Sequence, residues 1–330
     1  MMAPLVSAID RSQKIASSRS FRGWWLIACL VLLFATFAVW NPTAVLSSYN
    51  IQNIIGDAST LLIVAVGMTF VVATAGIDLS VGSVLIFSQI TAAQAMILAG
   101  GDGWTSTAIG VIVSVLCGAF WGLINGIMIA RLRIPALIAT LGTLGMAGGI
   151  ALLMTNGINI RSGIPDQLTL TIGAGRLFGV LPIVSLISLA VVVVAAFSLS
   201  KTRFGLHVMG VGSNATALAR TGIDVPAVQI RVYVISGACA GLGAVIDLAR
   251  FSTTTIGAYS TLSLEAIAAV VIGGTSLFGG IASIVGAVIG VFIPAVLRNG
   301  FVIAGVPSFW QQIAVGAILV LAVYLDQRRR

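Results

Sequence analysis

The segment from Ser200 to Asp224 reads SKTRFGLHVMGVGSNATALARTGID and lies between two long apolar runs. It is the longest basic segment between hydrophobic runs, with Lys201, Arg203 and Arg220. Because basic loops between membrane spans stay on the cytoplasmic side, this segment predicts the orientation of the chain.

The second part of this segment, from Asn214 to Thr221, favours a short helix because it is rich in alanine and leucine. We expect the glycines around it to end such a helix, and these are Gly205, Gly210, Gly212 and Gly222. A short helix on a basic cytoplasmic loop needs a surface to contact, and we expect that surface to belong to a soluble motor protein. The single histidine, His207, is expected to be a solvated loop residue.

The composition indicates an integral membrane protein. Of the 330 residues, 58% are hydrophobic and 8% are charged, and the mean hydropathy is +1.12. Soluble domains are roughly a quarter charged. The net charge of +8 would suit a nucleic-acid partner, but the basic residues lie in loops and ends between apolar runs, so we expect no nucleic-acid binding. The cysteines Cys29, Cys117 and Cys239 all lie in apolar runs and are expected to be small core residues, not a disulfide set or a metal site.

A helix needs about 20 residues to cross the hydrocarbon layer, and on that scale the chain has about ten spans. We therefore expect an all-α polytopic membrane protein with one transmembrane domain over residues 24–325, a cytoplasmic segment over 1–23 and a basic cytoplasmic tail over 326–330. The first apolar run is expected to stay uncleaved, since no small-residue cleavage site follows it. The predicted spans are Trp24–Trp40, Leu61–Thr74, Val81–Leu98, Ala108–Ala130, Pro135–Met154, Leu181–Leu199, Val225–Leu248, Leu262–Ile272, Ile281–Leu297 and Phe309–Leu325.

The distribution of basic residues supports an orientation with both termini in the cytoplasm. Alternating ten spans from a cytoplasmic start places 12 of the 17 basic residues inside, including Arg131, Arg133 and the segment with Lys201. The reversed orientation gives a poor count.

Small residues repeat at every fourth position in three of the predicted spans. Such spacing allows close approach of helix backbones in lipid. Packing within one bundle and an interface between subunits both remain open. The repeats are Gly118/Gly122/Gly126, Gly237/Gly241 and Gly286/Gly290.

Two breaks interrupt the apolar pattern. The first, Gly76–Ser83, leaves no room for an ordinary loop, so the backbone is expected to turn at or near membrane depth. Asp78 or Ser80 could cap the third helix, or Asp78 could take part directly in a transport pathway. The second break follows Glu265 at Gly273–Gly280, where a short helix is expected to end in a glycine-rich turn that enters the next span.

Motifs for catalysis are missing from the sequence. The two lysines, Lys14 and Lys201, do not stand in the glycine-rich loop that holds ATP phosphates. The chain has one histidine and nine acids, and no two acids stand close together in a span. This composition does not favour a metalloenzyme or a histidine-dependent hydrolase. We therefore expect no catalytic residue, no metal site and no cofactor bound by this chain.

The run Gly76–Gly82, GIDLSVG, resembles the signature of permease subunits of ABC importers for monosaccharides, the ribose/xylose/arabinose type. The similarity covers residues 50–330, and its most specific part is AIAAVVIGGTSLFGG at Ala266–Gly280. Glycine often stands in the family where this chain has Ala75. The other matching segments are Ile138–Thr143, Arg203–Gly205, Gly212–Asn214, Ala219–Ile223 and Ser308–Gln312.

The resemblance implies the type II ABC importer transmembrane fold, with about ten helices, in the bacterial inner membrane. It implies a second permease beside this one, identical or related. It also implies a cytoplasmic ATPase that carries ATP and Mg, and a periplasmic sugar-binding protein. The residues expected to couple to the ATPase are Gly212, Asn214, Ala217, Arg220 and Gly222.

A neutral sugar needs hydroxyl and amide partners in its pathway, not ion pairs. Polar residues in spans also bridge neighbouring helices, so this assignment competes with a structural one. The candidates for the pathway or for helix breaks are Asp78, Ser80, Ser88, Gln89, Asn125, Thr140, Thr143, Asn156 and Glu265.

Two other classes remain as alternatives. An ion-coupled secondary transporter, or a channel for a small polar solute, would need buried carboxylates, for which Asp78 and Glu265 are the plausible residues. A membrane enzyme acting on a lipid-linked substrate would need clustered acids or histidines at one interface, and the sequence shows none.

Overall fold

The structure is a computed structural model that describes residues 24–257 and 261–307, together with 309–311, 313–314, 316–317, 320 and 324. The predicted cytoplasmic segment 1–23 and the basic tail 326–330 lie outside the described residues. The described residues of the predicted last span, Phe309–Leu325, are helical.

The described part is mostly helical. A π-helix spans Gln167–Gly173, and one antiparallel pair of short strands joins β1 (Arg176–Leu177) to β2 (Leu181–Pro182). The α-helices are α1 (Trp24–Trp40), α2 (Pro42–Val45), α3 (Ser48–Ala73), α4 (Val81–Leu98), α5 (Gly103–Ala130), α6 (Ala136–Thr155), α7 (Ile183–Lys201), α8 (Arg203–Arg220), α9 (Val225–Phe251), α10 (Leu262–Ile272) and α11 (Ile284–Ile303).

Seven of the described helices are long and apolar enough to cross a membrane: α3, α4, α5, α6, α7, α9 and α11. The helices α1 and α10 are apolar but shorter. The chain is therefore a polytopic helical membrane protein, and the expected number of about ten spans stays a prediction.

Helices α3 and α9 form the centre of the bundle. In the apolar windows of these helices 89% and 78% of the residues are buried, against 22% to 33% in α5, α6 and α7. The largest fully buried side chains include Phe70 and Met68 of α3 and Tyr233 of α9. Helices α4, α5, α7, α8, α10 and α11 contact one or both of this pair, and α6 packs against α4 and α5.

The start of α3 corrects the predicted span Leu61–Thr74, because the helix begins at Ser48. The Ser47 hydroxyl caps it by accepting a hydrogen bond from the Asn50 amide at 3.2 Å. The polar residues of its first turns do not end the helix, because Asn50 and Asp57 find side-chain partners on other helices.

The glycine repeats of α5 and α9 face one another across a backbone contact. A Cβ atom at Gly118 would lie 2.1 Å from the Gly237 carbonyl oxygen, and one at Gly122 would lie 2.2 Å from that of Tyr233. In the same way, a Cβ at Gly290 of α11 would lie 2.0 Å from the Ala269 oxygen of α10. These contacts confirm packing within one bundle as the role of the repeats.

Helix α8 is longer than the predicted short helix. It begins at Arg203, where the Thr202 hydroxyl accepts a hydrogen bond from the Gly205 amide at 3.2 Å, and it kinks at Asn214 (φ −162°, ψ 91°). The prediction that Gly205, Gly210 and Gly212 end a helix is wrong, because all three lie inside the first part of α8. Only Gly222, with φ +85°, lies in the turn that follows the helix.

Candidate functional site

The second part of α8 presents a small exposed surface. Asn214 separates it from the first part and caps it, since its Oδ1 atom accepts a hydrogen bond from the Ala217 amide at 2.9 Å. Asn214, Ala217 and Arg220 are exposed, whereas Leu218 packs against the core of the bundle. The spacing of three residues places the exposed side chains on one face, which we call the coupling face.

The first part of α8 rests on backbone atoms of two other segments. A Cβ at Gly212 would lie 2.0 Å from the Ala73 carbonyl oxygen and 2.4 Å from the Gly280 nitrogen. The Gly280 amide itself donates to the Ala73 oxygen at 3.0 Å. This three-backbone junction joins α8 to the end of α3 and to the glycine-rich turn after α10.

The first break, after α3, holds a buried carboxylate. Ala75 adopts a left-handed conformation (φ 59°), and the chain then turns through Asp78, which is 1% exposed. The Oδ1 atom of Asp78 accepts from the Ser80 amide at 3.0 Å and from the Ser80 hydroxyl at 2.6 Å, and its Oδ2 atom accepts from the Ser236 hydroxyl of α9 at 3.0 Å.

These bonds correct the prediction that Asp78 or Ser80 caps the helix of the third predicted span, which is α4. Ser80 stands at the N-cap position of α4, but its side chain makes no capping bond there. The hydroxyl donates instead to Asp78. The other carboxylate oxygen of Asp78 accepts from Ser236 of α9, which lies 158 residues away along the chain. Asp78 therefore ties the turn to the bundle.

The hydrogen bonds continue from Ser80 into two further helices. The Asn125 amide of α5 donates to the Ser80 hydroxyl at 2.9 Å, and the Thr143 hydroxyl of α6 donates to the Asn125 oxygen at 2.8 Å. We call Asp78, Ser80, Asn125, Thr143 and Ser236 the inner network. It brings together four of the predicted pathway residues, and the sequence reasoning missed Ser236.

A second set of buried polar residues lies further along α3, α4 and α9. Asp247 accepts hydrogen bonds from the Thr60 hydroxyl at 3.2 Å and from the Gln89 amide at 3.4 Å. The Gln89 oxygen accepts from the Thr255 amide at 2.9 Å. The sequence reasoning missed Asp247, although an acid inside an apolar span is itself a signal.

Four of the predicted pathway or helix-break residues lie outside both sets, and these are Thr140, Asn156, Ser88 and Glu265. Thr140 is buried, and its hydroxyl donates to the Ala136 oxygen of its own helix at 2.8 Å. Asn156 is exposed and follows α6 in the left-handed conformation (φ 50°). The Ser88 hydroxyl is buried and has no hydrogen-bond partner among the described residues.

Glu265 lies in the first turn of α10, before the second break and not in it. Its carboxylate forms an ion pair with Arg298 of α11 at 2.5 Å and accepts from the Thr261 hydroxyl at 3.0 Å. The residue thus links two neighbouring helices. In the part of the chain that the structure describes, no three His, Cys, Asp or Glu side chains gather as metal ligands would.

Comparisons with known proteins extend over most of the chain. The ribose import permease protein RbsC of Escherichia coli K12 is 35% identical over 97% of this chain and 99% of its own length. The L-arabinose ABC transporter permease protein AraH of Azospirillum brasilense is 34% identical over 100% and 96%, and the D-allose transport system permease protein AlsC of Escherichia coli K12 is 33% identical over 90% and 89%. No solved structure matches.

These relatives confirm the resemblance to sugar importer permeases that the motifs indicate. The family described as "Branched-chain amino acid transport system / permease component" matches residues 50–323. The protein is therefore a member of this family of transport-system permease components.

Proposed function

We propose that this chain is the permease subunit of an ATP-driven importer that carries a monosaccharide across the bacterial inner membrane. The observation that carries the proposal is the similarity, over 90% or more of the chain, to permeases named for ribose, arabinose and allose. The family description mentions branched-chain amino acids, but these named relatives are sugar permeases.

The chemistry of the bundle supports a neutral substrate. Besides Asp78, the side chains of the inner network are uncharged, so they offer no counter-ion to an ionised substrate. The buried carboxylates Asp78 and Asp247 already accept hydrogen bonds from neighbouring side chains. A zwitterionic amino acid would need charged partners, whereas a sugar needs hydroxyl and amide groups.

The coupling face is the part of this chain that we assign to the ATPase. Asn214, Ala217 and Arg220 are exposed on it, and Gly222 ends the helix beside it. Gly212 is not on the coupling face but belongs to the three-backbone junction that connects α8 to the rest of the bundle. Closure of the ATPase would tilt α8 and move both breaks together, and the cavity between two permeases would then open inward.

The membrane arrangement follows from the same proposal. Adding α1, α10 and the helical residues between 309 and 324 to the seven long helices gives ten spans, with both termini in the cytoplasm. A second permease, two ATPase subunits and a periplasmic sugar-binding protein complete the importer. ATP and Mg bind to the ATPase, and this chain catalyses no reaction.

The test is purification of the chain with its ATPase and binding protein, followed by measurement of ATP hydrolysis in lipid with a panel of sugars. We expect one sugar to stimulate hydrolysis, and only when the binding protein is present. The ion-coupled alternative predicts a different outcome, in which the purified chain alone moves solute along an ion gradient and binds no ATPase. That outcome would overturn the proposal.

A further inference from the structure

A cavity of about 350 Å³ lies between the first turns of α3 and the last turns of α11. Its size falls at the lower end of the range for small-molecule sites, about 300–1,000 Å³. Five of its ten lining residues are polar, and two of these are ionisable, which is rare inside a membrane bundle. The polar lining residues are Asn50, Asn53, Asp57, Arg298 and Asn299, and the apolar ones are Ala58, Leu61, Ala295, Val302 and Ile303.

The cavity lies at the opposite end of α3 from the junction with α8. Asn53 and Ala73 are 20 residues apart on one helix, which corresponds to about 30 Å at 1.5 Å per residue. This distance is close to the thickness of the hydrocarbon layer, about 30 Å. If α8 is cytoplasmic, as the proposed function has it, the cavity opens on the outer side of the membrane. We therefore call it the outer cavity.

Both charged residues of the outer cavity have partners that do not line it. Asp57 pairs with Arg250 of α9, and Arg298 pairs with Glu265 of α10 at 2.5 Å. A charged ligand would have to compete with one of these pairs for its counter-ion, whereas an uncharged ligand leaves both pairs intact. The outer cavity is thus suited to an uncharged ligand.

The amide groups of the outer cavity are not all occupied. Asn50 and Asn299 exchange two hydrogen bonds, at 3.1 and 2.7 Å, and the Asn50 amide also donates to the Val45 oxygen. Asn53 is half-buried, and its side chain makes no hydrogen bond to another described residue. An asparagine amide offers two donors and one acceptor, which together suit neighbouring hydroxyl groups.

From this lining we infer that the outer cavity is a binding site for a neutral polyhydroxy compound of monosaccharide size, with the Asn53 amide as its main polar contact. The apolar residues, such as Leu61 and Val302, would contact the carbon skeleton, and the paired charges would exclude ionised solutes. The inference rests on the proposed function for the side of the membrane and for the class of substrate.

The test uses a cysteine reporter inside the cavity that is not itself a proposed contact. Val302→Cys supplies it, because Val302 lines the cavity and is 64% exposed. Its rate of reaction with a polar maleimide is measured in the purified full chain, with D-ribose, L-arabinose, D-allose or D-ribonate added. The chain without Val302→Cys gives the background from Cys29, Cys117 and Cys239.

We expect at least one of the three sugars to slow the reaction in a saturable way, by about tenfold near ten times its dissociation constant. We expect D-ribonate, which carries a carboxylate, to have no effect. Adding Asn53→Leu should abolish the protection while leaving the rate without sugar unchanged, which shows that the cavity is still formed. Arg161→Cys, at an exposed position outside the cavity, should react at one rate throughout.

Three outcomes would overturn the inference: no protection by any sugar, equal protection by D-ribonate, or protection that survives Asn53→Leu. Sugar-dependent ATP hydrolysis is measured separately, on the same chain assembled with its ATPase and binding protein. If hydrolysis is stimulated and protection is absent, the cavity assignment fails alone. If protection is present but no ATPase binds, the proposed function fails and the cavity site stands.

Discussion

The two ends of α3 are held in different ways. At the inner end, Ala73 meets Gly212 and Gly280 backbone to backbone, and the following turn is held by bonds of 2.6 to 3.0 Å to Asp78. At the outer end, side chains on different helices form the contacts, and they surround a cavity. We expect the end built from backbone contacts to move as a unit, and the end built from side-chain contacts to open more readily to a solute.

The largest effect is expected where a side chain is added to the junction. Gly212→Ala places a Cβ against the Ala73 and Gly280 backbones, and it should lower the free energy of unfolding by about 3 kcal/mol or more. Gly210→Ala is the matched control, because its Cβ would meet only the flexible Leu218 side chain at 3.0 Å. Thermal unfolding in detergent compares the two, and equal stability would mean that the junction is not a rigid contact.

The next largest effect is expected from removal of the carboxylate at the inner end. Asp78→Ala leaves the Ser80 and Ser236 hydroxyls without their acceptor, and we expect a loss of about 3 kcal/mol, since each unsatisfied buried group costs about 1–3 kcal/mol. Asp78→Asn keeps the oxygen that serves Ser80 and should lose about 1 kcal/mol. The same unfolding measurement applies, and a smaller loss for Ala than for Asn would contradict the structure.

A smaller effect is expected within the inner network on α6. Thr143→Val removes the donor to the Asn125 oxygen and should cost about 1 kcal/mol. Thr140→Val removes a hydroxyl that bonds only to its own helix, so its cost should be within about 0.5 kcal/mol. Equal losses for Thr143→Val and Thr140→Val would show that the hydrogen bond from Thr143 to Asn125 contributes nothing to stability.

At the outer end, Arg250→Met should cost about 1 kcal/mol. Arg250 donates to the Gly56 oxygen at 2.8 Å and pairs with Asp57, but the Asp57 side chain is 48% exposed, so water screens that pair. Unfolding at low and high salt separates the two contributions. A loss as large as that of Gly212→Ala would remove the distinction between the two ends.

The smallest effect on stability is expected at the coupling face, where function should be lost instead. Ala217→Asp lies on an exposed surface and should change the free energy of unfolding by no more than about 0.5 kcal/mol. In the assembled importer it should abolish sugar-dependent stimulation of ATP hydrolysis. Thr216→Asp, on a neighbouring face of the same helix, should keep the stimulation, and its loss in both variants would indicate a general effect of the added charge.

Helix bounds could be read from the sequence where hydropathy alone decides them. Val81–Leu98 and Leu262–Ile272 are helices with the predicted limits. The start of α3 was missed because Asn50 and Asp57 look like loop residues until their partners on other helices are known. Contacts of this kind are distant along the chain and leave no local pattern.

In the candidate site, too, local features could be read from the sequence and contacts between distant residues could not. The motif around Asp78 marked the first break, but its role as a tie to α9 depends on Ser236 and could not be read from the motif itself. Asp247 gives no signal as part of a close pair of acids, because its partners are the uncharged Thr60 and Gln89. Polar residues whose partners are uncharged and distant along the chain can be assigned to one network only when the fold is known.

The absence of side chains from the three-backbone junction has a consequence for how such a protein can diverge. A contact made of Gly212, Gly280 and the Ala73 carbonyl offers no side chain whose replacement could adjust it gradually. Sequence variation among importers of this kind should therefore spare the junction. The specificity of one permease for its own ATPase would then evolve on the coupling face, through Asn214, Ala217 and Arg220.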